Sequence, residues 1–358
     1  MIRVVVAEDS ATVRRLLVEM LDSDPEIEVI GEARNGVEAV EQAARLAPDL
    51  VTMDIEMPEM DGLAATREIM ATTPLPILIV TAVATEREGD LTFDATRAGA
   101  LGVLPKPVDP LAPQFVRQRD QLVAMAKAMA GVKVIRRRAT AEDTRRRRVP
   151  TPPSEFPAAT NAWRPLAARA ELLAIATSTG GPPALRDLLA ALPTLSVPVV
   201  VVQHIARGFV GALAHWLAVE SRKPVEIATQ GAPARPGTIY LAPDDHHLGV
   251  ARGSGGLSLV LSDAPAVGGF RPSGTYLFES AAQAVGGGVV ALILTGMGND
   301  GVAGLQKVRA RGGRIIAQDE ATSVIYGMPR EAVRAGVVDT VLPLPEIPRH
   351  VVQLLEGA

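Results

Sequence analysis

Two doubly wound parallel-sheet α/β domains in series are what this 358-residue sequence predicts, and three observations predict them. Strand-like and helix-like periodicities alternate five times before residue 130 and resume at residue 172. Hydrophobic residues make up 47% of the chain but aromatics only 3%, so its cores are built from Val, Leu, Ile and Ala. Those side chains suit parallel strands buried on both faces by helices. The charge is also segregated. Residues 1–110 hold 9 Lys/Arg against 21 Asp/Glu, residues 111–170 hold 13 against 4, and residues 171–358 hold 14 against 15. An acidic module, a basic connector and a near-neutral module therefore follow one another, each module long enough to bury a core of its own.

In the first domain, strands are expected over 2–7, 27–32, 50–54, 76–81 and 101–105. Helices are expected near 11–22, 37–46, 59–70, 85–98 and 110–129, with Pro25, Pro48, Pro58 and Pro74 and the glycines Gly36 and Gly62 punctuating the joins. Residues 111–170 take in the end of that last helix and then lose periodicity. Arg136–Arg138, Arg145–Arg148 and the prolines 150, 152, 153, 157 and 165 read as a partly extended, self-repelling linker. No recognition helix or aromatic stacking platform accompanies the arginines, so specific nucleic-acid binding is not expected. In the third segment, strands are expected over 172–177, 198–203, 238–242, 289–295 and 314–318. Helices are expected near 182–192, 209–221, 273–285, 300–311 and 329–335, with a hairpin over 246–262 turning at Gly253, Gly255 and Gly256. No apolar run reaches membrane-spanning length and there is no cysteine, which excludes disulfide and thiolate chemistry and fits the cytosol.

Chemistry gathers at strand ends. The first strand ends in Glu8-Asp9, the third in Asp54, the fourth in Thr81, and Lys106 follows the fifth. In a parallel sheet these all lie at the carboxyl edge, where such sheets bind ligands. Carboxylates crowded there repel one another unless a cation joins them, and Mg²⁺ is the hard, oxygen-seeking choice. A hydroxyl and an ammonium facing that centre suit the oxygens of a transferred phosphoryl group.

In the other domain, Ser178 closes a strand and is followed by Thr-Gly-Gly. That segment alone fits either a nucleophile or a phosphate-binding loop. The next strand ends in His204, and the strand near 289–295 delivers Gly-Met-Gly-Asn-Asp300, so a nucleophile, a base and a carboxylate share one edge. In that arrangement His204 takes the Ser178 proton, Asp300 supports the imidazolium, and backbone N–H groups of the Gly-Met-Gly turn face the oxyanion. The order Ser, His, Asp, with Ala176 in place of the first glycine of Gly-x-Ser-x-Gly, disfavours a lipase-like α/β-hydrolase. Adjacent His246 and His247 suggest a metal, but no matching ligand spacing supports it and a rim or hydrogen-bonding role is expected instead.

Two resemblances follow from these motifs. Glu8-Asp9, Asp54, Met57-Pro58-x-Met60-Asp61-Gly62, Thr81 and Lys106-Pro107 resemble the receiver domain of bacterial response regulators, a flavodoxin-like fold, over residues 1–110. That resemblance implies Asp54 as phospho-acceptor from a sensor histidine kinase and Thr81 and Lys106 as phosphate-binding switch residues. It also implies Mg²⁺ held by Glu8, Asp9, Asp54 and the Glu56 carbonyl. Val103 stands three positions before Lys106, where the family often has an aromatic residue.

Ala176–Gly181, Gln203-His204-Ile205, Leu241–Leu248, Phe270-Arg-Pro-Ser273, Thr295–Gly301 and Ser323–Pro329 resemble the catalytic domain of the chemotaxis protein-glutamate methylesterases, a Rossmann-like domain, within residues 171–358. The resemblance implies Ser178, His204 and Asp300 as a triad with no cofactor, and the Met297 amide in the oxyanion hole. It places Thr179 and Arg271 on the substrate side. Methyl-accepting chemoreceptors would be the substrates, glutamine deamidation a second activity, and phosphorylation the gate.

Overall fold

The computed structural model describes residues 1–82, 94–107, 112, 115–132 and 168–356. The arginine-rich, proline-rich segment lies outside the described residues, as does most of the helix expected over 85–98. The described residues form two main sheets, and each sheet with the helices on it is one of two units.

The first sheet has the order β2-β1-β3-β4-β5, from β1 (Ile2–Ala7), β2 (Ile27–Ala33), β3 (Leu50–Met53), β4 (Ile77–Thr81) and β5 (Gly102–Pro105). β1 pairs in parallel with both β2 and β3, and β3 with β4. The chain runs outward to one side and then to the other, so the switch of direction falls between β1 and β3, the place where doubly wound sheets open a crevice. Helices start where the sequence supplies a cap. Ser10, Asn35 and Asp61 each accept a hydrogen bond from a backbone N–H of the first turn of Ala11–Asp22, Gly36–Leu46 and Gly62–Thr72. The helix Phe115–Ala130 belongs to this unit too, since Lys127 reaches Asp24 at 3.2 Å and Glu26 at 3.1 Å.

The second sheet has seven strands in the order β14-β13-β12-β6-β7-β9-β8. These are β6 (Leu172–Thr177), β7 (Val199–Gln203), β8 (Val225–Ile227), β9 (Ile239–Leu241), β12 (Val289–Ile293), β13 (Arg314–Gln318) and β14 (Thr340–Leu342). Every pairing is parallel. Alternate residues of β6 enter opposite cores. Leu173 and Ile175 pack on one face, Leu172, Ala174 and Ala176 on the other, and all are fully buried. The short edge strands β8 and β14 escape a reading by periodicity because three residues do not complete a pattern.

The expected hairpin is present as β10 (His247–Gly253) and β11 (Gly256–Ser262), antiparallel and outside the seven-stranded sheet. β6 sits at the switch point with β12 on one side and β7 on the other, and that position builds the site described next.

Candidate functional site

In the first unit, Glu8, Asp9 and Asp54 come together at the carboxyl edge, with one oxygen of each within 4.8 Å of the others. Glu8 and Asp54 are buried and Asp9 is exposed. Lys106 Nζ lies 2.9 Å from Glu8 and 2.8 Å from Asp54, and it is the cation that joins them here. Burial, reinforced by the Asp54 charge and opposed by Lys106, pushes the Glu8 carboxyl up to about 7. Burial likewise raises Asp54 against the pull of Lys106, and the two carboxylates together outweigh burial to raise Lys106. Three carboxylate oxygens, two of them on buried side chains that share Lys106, fit a hard divalent ion. Thr81 ends β4 and is buried; Glu56 lies in the turn after Asp54 and is exposed.

A pH-dependent stability follows. The folded state holds the Glu8 proton more tightly than the unfolded chain, so stability falls as pH rises from the ordinary glutamate range through about 7. Glu8→Gln removes that penalty. Melting of the metal-chelated protein at pH 8 is expected to rise by several degrees, an effect of about 1–3 kcal/mol, with little difference near pH 4.5. A variant equally less stable at both pH values would contradict the buried-charge account.

In the second unit, Ser178 and His204 follow register neighbours, because Thr177 of β6 pairs with Gln203 of β7. The His204 amide donates to the Thr177 carbonyl at 3.0 Å. Gly180, at φ +76°, turns the chain from Ser178 into the helix Gly181–Ala191, which a side chain would make strained. Asp300 lies beyond the end of β12. Its Oδ2 is 2.9 Å from His204 Nε2.

Four further donors hold Asp300. The Ser273 hydroxyl donates at 2.7 Å, and the amides of Gly274, Thr275 and Gly301 donate at 2.6, 3.1 and 2.9 Å. Ser273 caps the helix Gly274–Ala284, so the carboxylate sits on a helix N-terminus. Burial alone would raise Asp300, but His204, Ser273 and the Gly274 amide hold it far below the usual carboxylate range. An ionised Asp300 fixes the imidazole proton on Nε2. That leaves Nδ1, buried without a hydrogen-bond partner among the described residues, as the basic nitrogen.

The Gly296-Met297-Gly298 turn is framed by backbone. The Gly296 carbonyl accepts from Gly327 at 3.1 Å and Met328 at 2.8 Å, and its amide donates to Ile325. A Cβ at Gly296 would meet Ser178 Cβ at 2.7 Å, so the turn carrying half-buried Met297 lies against Ser178. Thr179 contributes its carbonyl to the Thr295 hydroxyl at 2.9 Å, and Arg271 donates to the carbonyls of Asp263 and Ala264 at 2.9 and 3.3 Å. His247 donates through Nε2 to the Pro265 carbonyl at 3.2 Å and stacks on Tyr276, the hydrogen-bonding role expected of it.

Residues 4–112 match the response regulator receiver domain, and residues 173–351 match the CheB methylesterase family. A protein-glutamate methylesterase/protein-glutamine glutaminase of Myxococcus xanthus strain DK1622 is 49% identical over 360 residues, spanning 100% of this chain and 98% of the relative. The chain belongs to the CheB methylesterase family. A second member, so named in Anaeromyxobacter dehalogenans strain 2CP-C, is 47% identical over 96% of each chain. The crystal structure of the Thermotoga maritima CheB methylesterase catalytic domain is similar to the second unit. It has 37% identity and a TM-score of 0.51, covering 52% of this chain and 100% of that one.

Three residues of this CheB-family site carry no chemical signal of their own in the sequence. Ser273 reaches Asp300 across 27 positions. Gln203 donates through one amide nitrogen to both the Ser178 carbonyl, at 2.8 Å, and the His204 carbonyl, at 2.7 Å. Phe270 lies flat on the His204 ring. Ser273 and Phe270 were legible only as parts of a motif, and Gln203 only as the residue before a histidine.

Proposed function

We propose that this chain is a phosphorylation-activated protein-glutamate methylesterase, with a receiver at 1–110 and a catalytic domain at 171–358 joined through 111–170. The observation that carries the reading is the His204–Asp300 pair, held at 2.9 Å beside the serine at the switch point of the second sheet. The family relationship supports it, since the relatives named above span the whole chain.

Ser178, His204 and Asp300 then act in two half-reactions. His204 Nδ1 takes the Ser178 hydroxyl proton as the oxygen attacks the ester carbonyl of a glutamate side chain. The Met297 amide donates to the developing oxyanion. Collapse breaks the bond to the methoxy oxygen, which leaves as methanol with the proton from His204, and the acyl group stays on Ser178. Water, deprotonated by His204, attacks the acyl-enzyme to release the free carboxylate and restore the serine. A glutamine side chain would enter the same sequence with ammonia as the first leaving group. Thr179 and Arg271 line the substrate side. The substrates are side chains of methyl-accepting chemoreceptors.

Asp54 accepts the phosphoryl group from a histidine kinase, with Thr81 and Lys106 on its oxygens. Glu8, Asp9, Asp54 and the Glu56 carbonyl would hold Mg²⁺, which supplies positive charge for phosphoryl transfer when bound. Among the described residues no helix is long and apolar enough to cross a membrane.

Methanol release from methylated chemoreceptor membranes tests both halves. Full-length protein is expected to release methanol faster with a small phosphodonor and Mg²⁺. Ser178→Ala should abolish release and Asp54→Ala should abolish only the stimulation. Release that persists without Ser178 would remove the esterase assignment, and stimulation that persists without Asp54 would remove the switch. Deleting residues 1–110 is expected to raise basal release, because the unphosphorylated receiver restrains the enzyme in this reading.

A further inference from the structure

The segment Phe270-Arg271-Pro272-Ser273 addresses the His204–Asp300 pair twice. Its last residue puts a hydroxyl on the Asp300 carboxylate at 2.7 Å, and its first puts a phenyl ring on the imidazole. The ring centroids of Phe270 and His204 are 4.2 Å apart and the planes differ by 6°. We propose that Phe270 is a positioning residue for the esterase base, holding the His204 imidazole in the plane that keeps Nε2 on Asp300 and Nδ1 free for the nucleophile.

The physical need is specific. One hydrogen bond, from Nε2 to Asp300, leaves the imidazole free to swing about that bond, because Nδ1 has no partner among the described residues. A second constraint must fix the ring plane, and a parallel aromatic face does so without occupying Nδ1. The same face becomes more favourable once the ring is protonated, since the negative face of an aromatic ring attracts a cation. The stack therefore favours the imidazolium that forms when Ser178 gives up its proton.

Phe270 is delivered by a built arm. Val267 and Phe270 exchange two backbone hydrogen bonds of 3.0 Å around Gly268 and Gly269. Those glycines have φ +60° and +89°, and a Cβ on either would meet nothing within 4 Å, so the turn conformation and not packing requires them. Arg271 braces the base of the arm through the carbonyls of Asp263 and Ala264, and His247 braces Pro265. Such an investment in a solvent-exposed turn makes sense if the position of its last residue matters.

The proposal rests on the triad reading, and the test separates the two. Full-length protein is compared with Phe270→Leu, which keeps bulk but removes the ring face, and with Phe270→Tyr and Phe270→Trp, which restore it. Methanol release gives kcat and KM, and ¹⁵N-histidine NMR gives the solvent exchange of the His204 Nε2–H, assigned with His204→Ala.

Phe270→Leu is expected to lower kcat about tenfold or more with KM within twofold, and to speed exchange of that proton about tenfold. The Tyr and Trp variants should recover most of both. Should Phe270→Leu not fold, Phe270→Met carries the same comparison. An enzyme sensitive to Ser178→Ala and His204→Ala but indifferent to Phe270→Leu would overturn the proposal alone, as would a loss confined to KM or unchanged proton exchange. Methanol release that survives His204→Ala would overturn the triad reading and the proposal with it.

Discussion

Replacing Asp300 with asparagine is expected to cut methanol release about 10⁴-fold and to lower the melting temperature, whereas Ser178→Ala removes activity and leaves melting nearly unchanged. The contrast comes from what each side chain faces. Asp300 accepts from His204, the Ser273 hydroxyl and the amides of Gly274, Thr275 and Gly301. Every neighbour is a donor. An asparagine amide keeps one acceptor oxygen and turns an NH₂ group toward donors, leaving at least one of them buried and unpaired at about 1–3 kcal/mol each.

The catalytic loss has a separate cause. An asparagine NH₂ facing Nε2 donates to it and so forces the imidazole proton onto Nδ1, the nitrogen that must be unprotonated to receive the serine proton. Steady-state kinetics and thermal melting of Asp300→Asn and Ser178→Ala measure both effects. An Asp300→Asn enzyme within tenfold of wild type would mean that the carboxylate is a cap for the helix Gly274–Ala284 and nothing more.

Gly181→Ala should cost about 10²-fold in rate although residue 181 carries no reactive group. A Cβ there would lie 1.9 Å from Gln203 Oε1 and 2.6 Å from Thr177 Oγ1. Gln203 is 6% exposed and has no room to withdraw. Its other amide atom holds the carbonyls of both Ser178 and His204, so moving the side chain displaces the nucleophile and the base together. A misplacement of about 1 Å at reacting groups is enough for a loss of that order. Overpacking of this kind also destabilises by about 1–3 kcal/mol. The double variant Gly181→Ala/Gln203→Ala relieves the tightest clash, leaves the approach to Thr177 Oγ1, and removes the bridge. It is expected to recover part of the loss in melting temperature and none of the rate. Recovery of both would show that Gln203 does nothing for the site beyond filling space.

The residues that carry charge or nucleophilicity were legible because they close strands. Alternation of strand and helix assigns Glu8, Asp54, Thr81, Ser178 and His204 to carboxyl edges, and the sheets place them there. Asp300 was legible for the same reason, following the strand that pairs with β6. The groups that hold these residues were not. Ser273 was legible only as the end of a motif, and nothing local says that it caps a helix whose N-terminus holds Asp300. Phe270 and Gln203 act through a ring plane and a bifurcated amide, and neither has a spacing that periodicity can detect. Which imidazole nitrogen meets Asp300 likewise depends on side-chain geometry, and no pattern of residue types encodes it.

The placement of β6 has a consequence for how the chain is made. β6 is the first strand of the second sheet to leave the ribosome, yet one of its two partners, β12, lies far downstream, with Val289 against Leu172 and Ile293 against Ala176. Until β12 is synthesised, β6 has an open edge in the middle of the future sheet, an invitation to wrong pairing while translation continues. The nascent polypeptide at that stage already carries Ser178 and His204 but lacks Asp300. A translation product interrupted there therefore combines an unpaired strand edge with a His204 that lacks its carboxylate partner.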